Sequence, residues 1–249
     1  MLTKQRHDLI LKKLEEKKSI TVTEVKDLLH TSESTARRDI VALDRAGKLQ
    51  KVFGGAVALE QPVIPYEPTI AQKRDINVEE KRCIAKYASA LIKDGEFIYL
   101  DAGTTTGCLI EWLPGRNVTV LTNAVAHARQ LAEMGVKVYL VGGELKGSTE
   151  AVIGSQAVEM LQSYHFTKGF FGTNGITVKT GFTTPDAHEA QVKKAAMGQC
   201  KERFVLADSS KFDSISSVTF ADFSAAKLIT DTVKDGYQDY QNILCASRQ

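Results

Sequence analysis

The sequence predicts an α/β chain in two parts, a small helical domain ending in a hairpin and a larger domain built on a mostly parallel sheet. Three observations carry that expectation. Residues 1–57 hold three helix signals followed by a short stretch with a Gly-Gly turn. Residues 58–76, ALEQPVIPYEPTIAQKRDI, contain three of the five prolines and little periodicity, as a linker does. From 77 to 249, six short apolar runs are mostly separated by helical segments, the pattern of a parallel sheet with helices on its faces.

At 249 residues the chain has room for both parts and a buried core. Apolar residues at 43% and charged residues at 25% are ordinary globular usage, which excludes disorder and collagen-like repeats. Cys83, Cys108, Cys200 and Cys245 form no C-x-x-C pair, so neither a zinc site nor a disulfide framework is expected, and a reducing cytoplasm fits. MLTKQRHDLILKKLEEKK is charged throughout, unlike a signal peptide, and no apolar run approaches the ~20 residues that span a bilayer. A cytoplasmic protein with no membrane partner is expected. Residues 1–60 carry 12 Lys+Arg against 9 Asp+Glu, a surplus of only three, so the case for a polyanionic partner rests on where the arginines sit.

Lys4–Lys17 spaces Leu9, Ile10 and Leu14 as one helical face. Thr21-Val-Thr-Glu24 has the form of a capping box ahead of Val25, Leu28 and Leu29, so a second helix starts there. Thr31 or Ser32 caps a third helix that runs to about Ala46 and stops at Gly47. KLQKVFGGAV, from Lys48 to Val57, reads as strand, turn and strand. Three helices and a hairpin in this order describe a winged helix-turn-helix.

On a helical wheel Ala36, Ile40 and Leu43 share one face, while Ser34, Arg38, Val41 and Arg45 fall opposite and Arg37 lies on the flank. The hydroxyls of Thr31, Ser32, Ser34 and Thr35 gather at the N-terminal end, where a recognition helix meets base edges and phosphates. Arginine suits both targets, because its planar fork binds guanine or phosphate through two bonds. The competing structural reading pairs Arg37 or Arg38 with Glu33, Asp39 or Asp44 on a solvated helix. Third place in the helix order favours DNA. The expected DNA contacts are Ser32, Ser34, Thr35, Arg37 and Arg38, with Lys48 and Lys51 of the wing on phosphates.

The run SESTARRDIVALDRAGKLQKVFGGA resembles the DNA-binding domain of DeoR-family bacterial transcriptional repressors, whose pattern is S-x-x-T-x-R-R-D followed by a wing ending in G-G-A. The match covers residues 1–57. Phe53 departs from it, since many members carry a polar residue, often histidine, before the two glycines.

In IYLDAGTTTGCLIEWL, Asp101–Gly107 lies between an apolar strand and an amphipathic helix, at the carboxyl end of a parallel strand where ligands bind. Free N–H groups at the helix start, three hydroxyls and a glycine make a cradle for one phosphate. It is neither a Walker A loop nor a dinucleotide fingerprint, and an ordinary threonine-capped turn is the alternative. Asn123, Gly142-Gly143, Thr173-Asn174-Gly175 and Asp208–Lys211 follow other apolar runs, so the sheet brings them to the same edge.

The order DAGTTT, LTNA, VGGE, FFGTNGI, TTPDAHEA and LADSSKF resembles the effector domain of the same family over residues 75 to 249, a domain similar to the ribose-5-phosphate isomerase type of sugar-phosphate fold. The resemblance implies that Gly103, Thr104, Thr105 and Thr106 bind the phosphate, and that Asp101, Asn123, Asn174, Asp186, Glu189, Asp208 and Lys211 surround the sugar.

An isomerase needs a carboxylate to move a proton between carbons and a cation at the enediolate oxygen. The isomerases carry an acidic segment and then a lysine-glycine segment, whereas here the stretches read FFGTNG and TGFTTP, with Glu189 and Lys211 remaining. Binding without turnover is therefore expected, with no cofactor. His127, His165 and His188 lack metal-ligand spacing, so no metal is expected. The sequence reads as a DNA-binding repressor of a sugar-utilisation operon answering to a phosphorylated sugar. By resemblance to regulators of fructose phosphotransferase operons the effector is fructose 1-phosphate, and paired half-sites call for a homo-oligomer, dimer or tetramer. The alternative is an isomerase-type enzyme with an appended nucleic-acid-binding domain.

Overall fold

A computed structural model describes residues 2–58, 63–64 and 69–246. The chain divides into two compact units, Met1–Gln61 and Pro62–Gln249.

The first unit runs α1 (Thr3–Lys17), β1 (Ser19–Thr21), α2 (Val22–Leu29), α3 (Glu33–Arg45), β2 (Gln50–Val52) and β3 (Gly55–Val57). α2 opens with a reciprocal cap, Glu24 N–H donating to Thr21 Oγ1 at 3.1 Å and Thr21 N–H to Glu24 Oε2 at 2.8 Å. Ser32, rather than Thr31, caps α3 by accepting from Thr35 N–H at 3.3 Å. Gly47, at φ +64°, lets the chain leave the helix. Ile10 and Leu14 of α1, Val25 of α2, and Ala36, Ile40 and Leu43 of α3 close one core. Each large side chain buried there contributes about 1.5–3 kcal/mol. β1 goes beyond the expected hairpin: only Ile20 of its three residues is buried, and its antiparallel pairing with β3 makes it a strand. Asp39, weighed as a partner for Arg37 or Arg38, instead turns inward and accepts from Arg6 Nε and Nη2 at 2.7 and 2.9 Å.

The second unit begins with β4 (Val63–Ile64), α4 (Ile70–Arg74), α5 (Val78–Ala90), β5 (Phe97–Leu100), α6 (Thr104–Gly107), β6 (Thr119–Thr122), α7 (Val125–Glu133) and β7 (Lys137–Leu140). It continues with β8 (Glu144–Lys146), β9 (Ala151–Ile153), α8 (Ser155–Gln162), β10 (Phe166–Gly172), β11 (Gly175–Thr177), β12 (Gly181–Thr184) and α9 (Ala187–Gly198). β13 (Cys200–Leu206), β14 (Ile215–Ser216), β15 (Val218–Ala221), β16 (Lys227–Thr230) and β17 (Ile243–Cys245) complete it. The stretch 58–76, expected as linker, thus contains β4, paired with β14, and α4, while 59–62 and 65–68 lie outside the described residues.

Seven strands form one sheet in the order β17-β16-β13-β10-β5-β6-β7, every neighbouring pair parallel. Six of them coincide with the expected apolar runs; β17 is the seventh. Successive residues serve opposite faces: Tyr99 and Phe171 belong to one apolar cluster, Ile98, Leu100 and Phe170 to the other. From β5 the chain steps outward through β6 and β7, then returns to place β10 on the other side of β5. The crevice beyond the carboxyl ends of β5 and β10 is therefore a topological switch point, where open α/β sheets bind ligands.

Candidate functional site

Two groups of expected residues have very different settings. On α3, Ser32 Oγ lies 3.0 Å from both Ser34 Oγ and Thr35 Oγ1, so the cap doubles as a cluster of hydroxyls. Ser32, Ser34, Arg37 and Arg38 are exposed and Thr35 is half-buried. Arg37 is held by Glu33 one turn earlier, Nη2 to Oε1 at 2.6 Å, an exposed pair of the kind the structural reading anticipated. Arg38 makes no hydrogen bond or ion pair among the described residues. Lys48 and Lys51 are exposed, and Lys51 N–H donates to Asp44 Oδ1 at 2.8 Å, which ties the wing to α3.

In the second unit a cavity of about 270 Å³ opens at the switch point. Asp101, Gly103, Thr104, Thr105, Asn123, Asn174, Glu189, Asp208 and Lys211 all line it. Two expected residues do not. Thr106 is fully buried and its hydroxyl turns back to the Gly103 carbonyl at 3.0 Å, closing the turn from beneath. Asp186 caps α9 by accepting from Glu189 N–H at 2.9 Å, and pairs with Lys146 at 3.1 Å.

The loop from β5 to α6 is set by Gly103, whose φ of 155° with ψ of 161° is a conformation that side chains rarely adopt. The first N–H groups of α6 then have no intrahelical acceptor and remain donors. Asn123 Oδ1 fixes the approach by accepting from Ala102 N–H at 3.0 Å. Beneath the loop lies His127, whose Nδ1 is buried without a partner. A Cβ added at Gly107 would fall 2.9 Å from its Nε2. Burial pulls the His127 pKa down to about 4, against a hydrogen bond with the Gly103 backbone, so the ring is neutral at ordinary pH.

Three cavity lysines escape sequence reading, Lys73 from α4, Lys81 from α5 and Lys193 from α9. Lys193 Nζ pairs with Asp101 Oδ2 and donates to the Gly172 carbonyl at 3.1 Å, while Gly172 N–H donates to Asp101 at 2.9 Å. Burial pushes the Asp101 carboxyl up despite Lys193 and the Gly172 N–H. Lys81 is 4% exposed, donates to the Lys73 carbonyl of α4 at 2.5 Å and makes no ion pair among the described residues. Burial lowers its pKa, with Asp208 pulling the other way. The loop at 180–185 lacks a lysine, but the cavity does not, because α4, α5 and α9 supply Lys73, Lys81 and Lys193 beside Lys211.

The carboxylates are largely engaged. Glu189 Oε1 accepts from Thr149 at 2.6 Å and Lys146 at 3.1 Å. Asp208 Oδ1 accepts from Asn77 Nδ2 at 2.9 Å, so Asn77, at the N-cap position of α5, spends its side chain on Asp208 rather than on the helix. Burial raises the Asp208 pKa, but Lys211, Ser210 and Asn77 outweigh it and hold the carboxyl below its usual value. Among the described residues Asp208 Oδ2 has no hydrogen-bond partner, with Lys211 Nζ at 4.0 Å. Among the described residues no group of three or more His, Cys, Asp or Glu side chains could hold a metal ion, and no helix is long and apolar enough to cross a membrane.

Residues 6–62 match the DeoR-like helix-turn-helix domain, and residues 76–232 match the DeoR C terminal sensor domain. The chain is 40% identical to a Bacillus subtilis protein described as the uncharacterized HTH-type transcriptional regulator FruR, over 96% of each chain. It is 32% identical to the HTH-type transcriptional regulator IolR of the same organism, over 90% of each. It is also 32% identical to the lactose phosphotransferase system repressor of Staphylococcus aureus, over 96% of this chain and 94% of that one. Among solved structures, ribose 5-phosphate isomerase A of Methanocaldococcus jannaschii aligns with a TM-score of 0.42 at 20% identity, over 55% of each chain.

Proposed function

Because the chain belongs to the DeoR family of transcriptional regulators, we propose that it represses a sugar-utilisation operon and that a phosphorylated sugar sets its affinity for the operator. The observation that carries this reading is the cavity at the switch point. There, backbone donors at the start of α6, the Thr104 and Thr105 hydroxyls and the buried ammonium of Lys81 border one space. A dianionic phosphate supplies what Lys81 lacks, a direct ion-pair partner, and the remaining walls offer Asn123, Asn174, Glu189 and Asp208 to sugar hydroxyls. Fructose 1-phosphate is the first candidate, and the phosphotransferase repressors among the relatives favour this class of ligand.

On α3, the unpaired Arg38 reads base edges from the major groove, with Ser32, Ser34, Thr35 and Arg37 beside it and Lys48 and Lys51 on phosphates. Paired half-sites make the working form a homo-oligomer. Occupancy of the cavity reaches the rest of the chain through α4, which comes after β4 near the start of the second unit. α4 buries no side chain and is held by Lys81 Nζ on the Lys73 carbonyl and by Ile70 N–H on Ser148 O at 3.2 Å. A phosphate on Lys81 therefore acts on the fixing of α4. The ligand shifts repression only by preferring one arrangement over the other.

The test is operator binding at fixed salt titrated with fructose 1-phosphate, other hexose phosphates and ribose 5-phosphate, since salt alone changes DNA affinity steeply. One of these sugars changes operator affinity; no response to any of them sinks the reading. The isomerase alternative is favoured by the cavity's own lysines and carboxylates. It predicts sugar-phosphate turnover that Glu189→Gln abolishes; the repressor reading predicts none.

A further inference from the structure

Among the described residues the most exposed large apolar side chain stands in the wing, between exposed lysines and a glycine turn. Phe53 has a relative exposure of 108% and occupies the turn between β2 and β3, with Val52 beside it at 39%. It joins no ring contact with the other described aromatics.

The turn is not a loose tip. Val22 N–H, at the start of α2, donates to the Gly54 carbonyl at 2.9 Å, and Gly54 takes a φ of +82°. Gly55 packs so closely that a Cβ there would lie 2.2 Å from the Ile20 carbonyl, and Lys51 N–H is bonded to Asp44 of α3. β3 is buried at Gly55 and Ala56, whereas all of β2 is exposed. The scaffold thus holds a phenyl ring out in solvent, at a fixed offset from α3. Lys51 lies two residues before it and Lys48 at the root of the wing.

We propose that Phe53 is an apolar wedge that enters the minor groove of duplex DNA beside the half-site read by α3 and partly unstacks one base step. An apolar protein surface leaves Lys48 and Lys51 without counter-charges, whereas a DNA backbone supplies phosphates on both sides of an apolar slot between bases, and the turn belongs to the unit that matches a helix-turn-helix domain. Inserted side chains of this kind kink duplexes toward the major groove. The kink is easiest at TA and CA/TG steps, so Phe53 adds a sequence preference where no base edge is hydrogen-bonded. A histidine at position 53 offers a smaller and more strongly hydrated ring for stacking, so this chain bends its operator more than a variant with histidine there.

The experiment uses the full chain and a duplex selected from random sequence by that chain, carrying donor and acceptor dyes at its ends. The wild type binds a duplex with a pyrimidine–purine step at the wing position and bends it. Phe53→Ala lowers affinity about tenfold and abolishes the bend. It leaves the salt dependence unchanged, because no phosphate contact is lost, whereas Lys51→Ala makes that dependence shallower. Phe53→Leu keeps most of the bend. Because the ring is fully exposed, the melting temperature of Phe53→Ala matches the wild type. Unchanged bend and affinity in Phe53→Ala overturn the proposal. So does a change in sedimentation with DNA binding intact, which assigns the ring to contact between copies of the chain.

Discussion

Arg38 and Lys193 are both long cations on helices, and their surroundings differ in nearly every respect. Arg38 is exposed on α3 with no protein partner among the described residues. Lys193 is 5% exposed, paired with Asp101 and bonded to the Gly172 carbonyl. Leaving Arg38 in water costs the fold little and keeps its fork available for a partner with its own charge. Burying Lys193 beside Asp101 fixes the geometry of the switch point before any ligand arrives, at the expense of desolvating two charges. Lys81 stands between these cases, buried like Lys193 yet without an ion pair, as Arg38 is.

The largest expected effect tests the buried side of this contrast. Lys193→Met strands the Asp101 carboxylate and lowers the stability of the second unit by about 3–5 kcal/mol in chemical denaturation, whereas Arg38→Ala changes stability by no more than about 0.5 kcal/mol. Equal effects would dissolve the comparison. Next is Thr105→Val, which removes a hydroxyl from the loop and weakens effector binding by about 1.5–3 kcal/mol by calorimetry while operator affinity without effector is kept. Loss of both together points to misfolding.

Arg38→Ala then weakens specific operator binding by about 1–3 kcal/mol and relaxes discrimination against random DNA. Unchanged discrimination moves base reading elsewhere on α3. The smallest effect near neutral pH comes from His127. Its folded pKa of about 4 lies below the ordinary 6.5, so the unfolded chain takes up a proton that the folded one refuses. Its contribution is fully present above pH 6.5 and is lost as pH falls toward 4. His127→Phe flattens that part of the melting-temperature profile, and an unaltered profile contradicts the assignment.

Much of this arrangement was legible in the residues. Caps at Thr21 and Ser32, the stop at Gly47 and six apolar strand runs are local signals, so they survive in one sequence. β1 and β17 were not, because each is three residues long and becomes a strand only by pairing with a distant partner. Most of the expected cavity residues follow strand ends, where topology gathers them, while Glu189 comes from α9. Lys81 and Lys193 come from helices, and a helix repeat states that a position faces inward without saying that it faces a cavity. Asn77 and Asp186 show the reverse difficulty: a cap-forming residue spends its side chain on Asp208 in one case, and an expected sugar contact serves as a cap in the other.

The central claim is that one ligand site and one DNA site share a free energy. Binding of fructose 1-phosphate, or of whichever phosphorylated sugar in the panel responds, is best measured by calorimetry on the free protein and on the operator complex at the same salt. Linkage requires the factor by which the sugar changes operator affinity to equal the factor by which the operator changes sugar affinity, with typical couplings of about 1–3 kcal/mol. The account predicts two unequal sugar affinities that match the operator shift. Equal sugar affinity for free and operator-bound protein contradicts it.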